Sequence, residues 1–272
     1  MPFVFSDRRA ALVVAHPGHE LCVYNWVSLA RPRVFVLTDG SSHSGKSRLH
    51  RTTSILNSLG AQPASIYGGM TDVEIYSAIL DRNFDLFIET ARELAEALVR
   101  DQIEYVVGDA IEGYNPAHDV CRLIINAAVK KASQMNHRVE NFDVLLAGKT
   151  ADCPAETLAD AISIEVDGKA LSRKLQAARD YSELAVDVHK ILDEEGIDSL
   201  RTECLRRVKG DSGDEQFKEP PYYETYGEKQ VAAGYYQQVI RFHEHVLPIA
   251  QALRQFVATA EIERRVADTN YQ

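Results

Sequence analysis

Several residue types are scarce in this 272-residue chain, and each scarcity closes off a class of function. Cysteine occurs four times, at Cys22, Cys121, Cys153 and Cys204, with no C-x-x-C spacing. Neither a zinc ribbon nor a disulfide framework is therefore expected, and the four thiols read as free. Long apolar runs are missing: nothing approaches the roughly 18 to 20 residues that a membrane span needs. The first residues show no signal-peptide pattern, so a soluble cytoplasmic protein with no membrane partner is expected. Positive charge is in deficit, 30 Lys and Arg against 40 Asp and Glu, for a formal charge of −10. Such a surface repels the phosphates that supply most nucleic-acid affinity, so no nucleic-acid partner is expected. Internal repeats and low-complexity tracts are absent too. What is present is a globular balance, 45% hydrophobic and 26% charged residues, with length enough for a large core.

Short apolar runs punctuate the first half. Residues 11–15 (ALVVA), 34–38 (VFVLT), 105–107 (YVV) and 142–147 (FDVLLA) read as strands buried on both faces. Helical patterns lie between them at residues 21–30, 48–59 with Gly60 as a stop, 72–102 and 120–132. Strands alternating with helices predict an α/β fold, a Rossmann-like, mostly parallel sheet flanked by helices. Beyond residue 150 the pattern changes. Residues 151–160 read as a connection, 162–166 as an edge strand, 169–208 as two helices, and 209–222 as a polar loop long enough to be a lid. A last helix is predicted over 228–266, interrupted at Pro248. The expected organisation is a core over residues 1–150, with 151–272 as an edge-strand and helical C-terminal extension of the same domain.

Ligands of such sheets bind beyond the carboxyl ends of the strands, which selects the loops at residues 16–20, 39–47 and 109–119. The first holds His16 and His19 in a turn made tight by Pro17 and Gly18, and the third holds His118. Three imidazoles and a water describe a catalytic zinc site, although paired loop histidines are also an ordinary surface feature. The second loop, residues 40–47, matches the phosphate-binding pattern G-x-x-x-x-G-K-[ST] between a strand and a helix. That stretch is equally a flexible polar loop.

The order of four segments carries a resemblance. ALVVAHPGHE, then VFVLTDG, then Arg48 eleven residues before Leu59, then EGYNPAHD, resembles the PIG-L/LmbE family of zinc-dependent N-acetylglucosamine deacetylases. The likeness runs from residue 11 to about residue 182, with a weaker echo at Lys174, Ala177, Tyr181 and Ser182 of the family's K-x-x-A…H-x-S segment. The family's A-H-P-D-D-E and H-P-D-H motifs imply that His16 and His118 are metal ligands. His19 takes the place of a metal-binding Asp, so the implied set becomes three imidazoles and the centre one charge more positive.

Other positions depart from the family. Gly18 stands where relatives carry the carboxylate that takes a proton from the attacking water, and Asn115 and Ala117 stand where they carry an oxyanion-stabilising His and its orienting Asp. Loss of a positioned base costs on the order of 10²–10⁴ in rate, and loss of an oxyanion donor about 10²–10³. Asn115 can donate from its amide toward an oxyanion. Asp109, Glu112 and Asp119 are the carboxylates available as a replacement base, each also readable as a loop charge or, for Asp119, a helix cap. Glu20 occupies a supporting position in the family, Arg48 a substrate-contacting one with Lys46 and His43 in the same loop. Tyr114, with Tyr222, Tyr223 and Tyr226, offers rings for stacking on a sugar.

The expected function is a divergent metal-dependent hydrolase, using zinc or another divalent transition metal. It would remove an N-acyl group from a small-molecule substrate, an amino sugar or glycoconjugate. Two alternatives stay open: a catalytically impaired binding or scaffolding protein of the PIG-L fold, and a nucleotide-binding protein acting through residues 40–47. A homo-oligomer is compatible with either.

Overall fold

The computed structural model describes residues 5–41, 45–146, 160–209 and 219–269. Cys153, residues 151–159 of the expected connection, residues 210–218 of the expected lid, and Ser42, His43 and Ser44 of the glycine-rich loop lie outside them.

Seven strands form one mixed sheet in the order β3-β2-β1-β4-β5-β7-β6. They are β1 (Ala10–Val14), β2 (Arg33–Thr38), β3 (Gln62–Met70), β4 (Tyr105–Asp109), β5 (Glu140–Val144), β6 (Ile162–Glu165) and β7 (Thr202–Arg207). The β1 to β4 pairings are parallel, β1 lying between β2 and β4, whereas β7 runs antiparallel to β5 and β6. Every residue of β1 and β4 is buried, which is why these strands read as unbroken apolar runs. The helices are α1 (Tyr24–Ala30), α2 (Leu49–Leu59), α3 (Asp72–Leu80), α4 (Phe84–Arg100), α5 (Pro116–Gln134), α6 (Gly168–Asp180), α7 (Ala185–Glu195), α8 (Tyr222–Ala232) and α9 (Leu247–Thr269). The predicted α/β class, a largely parallel sheet flanked by helices, is the one observed.

The chain forms two compact units. A sheet unit takes Met1–Val73, Glu104–Ala110 and Asn141–Val208; a helical unit takes Glu74–Ile103, Ile111–Glu140 and Lys209–Gln272. In the helical unit, α4, α5 and α9 pack on one another. The buried side of α4 runs Phe87, Ala91, Leu94, Ala95 and Leu98, the three-and-four spacing of one helix face. Among the described residues no helix is long and apolar enough to cross a membrane.

Five local readings need correction. Residues 62–70 were assigned no element but form β3, an edge strand containing Pro63, Gly68 and Gly69. Residues 202–207, expected as helix, form β7. The charge that disguised it is Glu203, fully buried, whose Oε1 and Oε2 accept from Asn25 N at 2.9 Å and Trp26 N at 2.7 Å. Glu203 thus caps α1, whose own preceding residue Val23 provides no side-chain cap, and Lys174 Nζ completes the cluster at 2.9 Å. The expected helix 72–102 breaks into α3 and α4 where Asn83 caps α4 through Leu86 N at 3.3 Å. The expected break at Pro248 falls earlier, between α8 and a π-helical turn at Phe242–Val246 that runs directly into α9; Pro248, which has no N–H to donate, follows that turn. Finally, Cys22 and Cys121 form no disulfide, as expected, but Cys204 is disulfide-bonded.

Candidate active site

The parallel strands of the sheet unit end on a cluster of buried polar side chains. Thr38, the last residue of β2, donates to Ala15 O through its backbone N at 2.9 Å and its hydroxyl at 3.1 Å. This fixes the chain at the start of the turn holding both histidines. His16 Nδ1 then lies 2.8 Å from Thr38 Oγ1 and 3.0 Å from Asp72 Oδ1. His19 Nδ1 lies 3.0 and 3.1 Å from the two oxygens of Asp109, the fully buried last residue of β4. Asp109 is itself fixed by Ala15 N, 2.7 Å from Oδ2. The two rings meet edge to face, with centroids 5.5 Å apart. Burial holds the His16 imidazole below its ordinary pKa, against the hydrogen bond from Asp72 that raises it.

The turn is braced from beneath by Glu20. Its buried carboxylate accepts from Gly18 N and from the Thr52 hydroxyl on α2, each at 2.8 Å, and burial pushes its pKa up despite those bonds. Gly18 has φ 109°, and a Cβ placed there would sit 2.4 Å from Leu184 Cδ1. No side chain fits without movement of Leu184. Gly40, at φ 67°, is crossed as closely: the Arg48 Nε donates to its carbonyl at 2.6 Å and would lie 2.7 Å from an added Cβ. Arg48 is thereby anchored to the loop after β2. α2 begins at Leu49, beyond Lys46 and Ser47 of the glycine-rich motif.

His16, His19, Asp109 and Arg48 all belong to the sheet unit. His118, Asn115, Asp119 and Tyr114 belong to the helical unit. There Asn115 caps α5, its Oδ1 accepting from Ala117 N at 2.8 Å while its amide donates to Tyr76 OH at 2.9 Å. Asp119 is buried, and its Oδ1 accepts from Glu112 N at 3.0 Å and Gly113 N at 3.3 Å. His118 is buried on the same helix. Tyr114 stacks on Tyr222 at 5.1 Å, and Tyr222 on Tyr226 at 5.9 Å. Sequence reasoning missed Thr38 and Asp72. The signal for Asp72 was weak, since an acidic residue opening a helix reads as a helix-terminus charge.

Three solved structures share this architecture. The zinc-inhibited form of the teicoplanin deacetylase Orf2 matches with a TM-score of 0.53 at 14% identity, over 75% of this chain and 100% of that one. The A40926 pseudoaglycone deacetylase Dbv21 matches at 0.52 and 18% identity, over 74% and 97%. A deacetylase–bog complex from the teicoplanin biosynthetic pathway matches at 0.51 and 16%, over 75% and 100%. The fold is that of PIG-L/LmbE-type deacetylases. No family model and no curated protein matches the chain by sequence.

One of these structures is a zinc-inhibited form. Imidazoles that ligate metals are held by a carboxylate or carbonyl at the other ring nitrogen. Both His16 and His19 meet that condition through Nδ1. Two such rings suit a divalent transition metal. Among the described residues, no three His, Cys, Asp or Glu side chains are gathered as a ready-made metal set.

Proposed function

We propose that this chain is a divergent metal-dependent amide hydrolase, zinc being the first metal to test, which removes an N-acyl group from an amino sugar or related glycoconjugate. The observation that carries the reading is the pair of carboxylate-backed imidazoles, His16 and His19, beyond the carboxyl end of β1 in a deacetylase fold. His16 and His19 would hold the ion, and the family resemblance implies His118 as a third ligand. A divalent ion lowers the pKa of a water to about 7 and polarises a carbonyl. Arg48, fixed on Gly40, orients polar groups of the substrate, and Tyr114 supplies a ring for a sugar face. Asn115 would offer its amide N–H as an oxyanion donor. Asp109 acts through His19, since its oxygens accept from that ring and from Ala15 N. Substrates resembling those of the teicoplanin and A40926 deacetylases are the ones to try first.

The test is metal content of the purified chain under zinc-replete conditions, with His16→Ala, His19→Ala and His118→Ala beside it, coupled to acetate release from N-acetylglucosamine derivatives. Near-stoichiometric zinc lost in the variants, together with activity lost in parallel, is the expected result. Activity untouched by His16→Ala would place the chemistry elsewhere.

One observation favours the second reading, a binding protein of the same fold. The turn position where the family resemblance puts a base is Gly18, buried, at φ 109°, and crowded by Leu184. On that reading zinc binds and acetate release stays at the uncatalysed rate.

A further inference from the structure

We propose that Asp72 and Asp109 are positioning residues that lock His16 and His19 as Nδ1–H tautomers, making Nε2 the working nitrogen of both rings. The inference rests on the reading of these two rings as metal ligands, and it names residues that set their chemistry.

The tautomer of His16 follows from proton counting. The Thr38 hydroxyl donates its single hydrogen to Ala15 O at 3.1 Å, so toward the ring it can only accept. Nδ1, 2.8 Å from that oxygen, therefore carries the hydrogen. Asp72 Oδ1, 3.0 Å away, accepts from the same N–H. A neutral imidazole protonated at Nδ1 has its lone pair on Nε2. For His19 the argument is shorter. Its Nδ1 faces two oxygens of one carboxylate, which accept and do not donate.

Neither acceptor is a loose surface group. Asp109 is fully buried and tied to Ala15 N, next to His16 in the chain. Asp72 is buried and opens α3, where the helix N-terminus favours a negative charge. Asp72 reaches His16 only because β3 pairs with β2 and ends at Met70, two residues before it. The charge arithmetic changes as well. Against the motif it resembles, the chain would have a histidine at position 19 in place of a carboxylate ligand, and Asp109 supplies a carboxylate behind that ring. A carboxylate there raises the ring's basicity as a ligand.

The experiment is ring 15N–1H correlation NMR on the metal-free wild-type chain and on Asp72→Asn, Asp72→Glu and Asp109→Asn. It is paired with zinc affinity from chelator competition and circular dichroism to confirm folding. Expected in the wild type are single Nδ1–H tautomers for both rings. Asp72→Asn should convert His16 alone to a tautomer mixture, Asp109→Asn should do so for His19 alone, and Asp72→Glu should restore part of the His16 signal. Zinc affinity should fall roughly 10- to 100-fold in each Asn variant. Asp143→Asn, a buried carboxylate paired with Arg206, should change neither readout. An Nε2–H ring in the wild type, or tautomers indifferent to Asp72→Asn and Asp109→Asn, overturns the proposal. Correct tautomers in a wild type that takes up no zinc would overturn the metal reading instead and leave the positioning intact.

Discussion

The sheet unit holds two buried clusters of ionisable side chains, and they are built to different ends. In one, Lys174 Nζ reaches Glu203 Oε1 at 2.9 Å and Cys22 O at 3.0 Å, while Glu203 caps α1 through two backbone N–H groups. Charge answers charge there, and the product is a located helix. In the other, two carboxylates each hold one imidazole by Nδ1, and what they fix is the orientation and tautomer of a ring. Both clusters join distant segments of chain; on the proposed function, the second also arranges groups for chemistry. Removing a member should therefore cost the first cluster folding free energy and the second its ligand.

The largest expected effect tests the first half of that contrast. Glu203→Ala leaves the Lys174 ammonium buried without its partner and uncaps α1, a change worth roughly 3–5 kcal/mol. Urea unfolding should show a loss of that size, while zinc affinity of the folded fraction stays within about twofold of wild type. A small loss would mean that the two clusters do not differ in kind.

The same contrast explains what was legible in the sequence. β1, β2 and β4 are buried on both faces, so their apolar runs announce them, and His16 and His19 stand out because they follow the first of these in a Pro-Gly turn. β7 was hidden by Glu203, Arg206 and Arg207: a buried charge looks like a surface charge until its partners are known. β3 was hidden because an edge strand with a proline and two glycines has neither an apolar run nor a clean alternation. Missing β3 also concealed Asp72, since nothing local ties that aspartate to a histidine 56 positions earlier.

A middle-sized effect concerns the turn between the rings. Gly18→Asp restores on paper the carboxylate of the motif that this turn resembles, yet φ 109° and Leu184 Cδ1 at 2.4 Å oppose a side chain there. Thermal melts should show a loss of roughly 2–3 kcal/mol, with no gain in acetate release. Adding Leu184→Ala should return the crowding part and leave the backbone part. A stable, more active Gly18→Asp would show that the turn can host a base after all.

Alkali gives a comparable effect in the core. Tyr105 in β4 lies between Trp26 and Phe142, each 6.2 Å away, and burial pushes its phenol up to about 12 from the ordinary 10. Its pKa is raised on folding, so its contribution is complete below about pH 10 and is lost as pH rises through about 12. Two pKa units correspond to roughly 2–3 kcal/mol. Wild type should lose that much more stability than Tyr105→Phe between pH 9 and alkaline conditions near pH 12, read from melts with phenolate absorbance as the titration signal.

The smallest effect on stability carries the sharpest functional question, because Asn115 has a stake in both kinds of cluster. Its Oδ1 caps α5, and one hydrogen of its amide goes to Tyr76 OH; the proposed oxyanion contact uses the amide as well. Asn115→Ala should cost about 1 kcal/mol through the lost cap. Asn115→Asp keeps the accepting oxygen and removes the amide donor, so stability should stay within a few tenths of a kcal/mol. Any acetate release should nonetheless fall by about 10²–10³. A variant as stable and as active as wild type would make Asn115 a helix cap and nothing more, and the oxyanion donor would have to be sought among other residues.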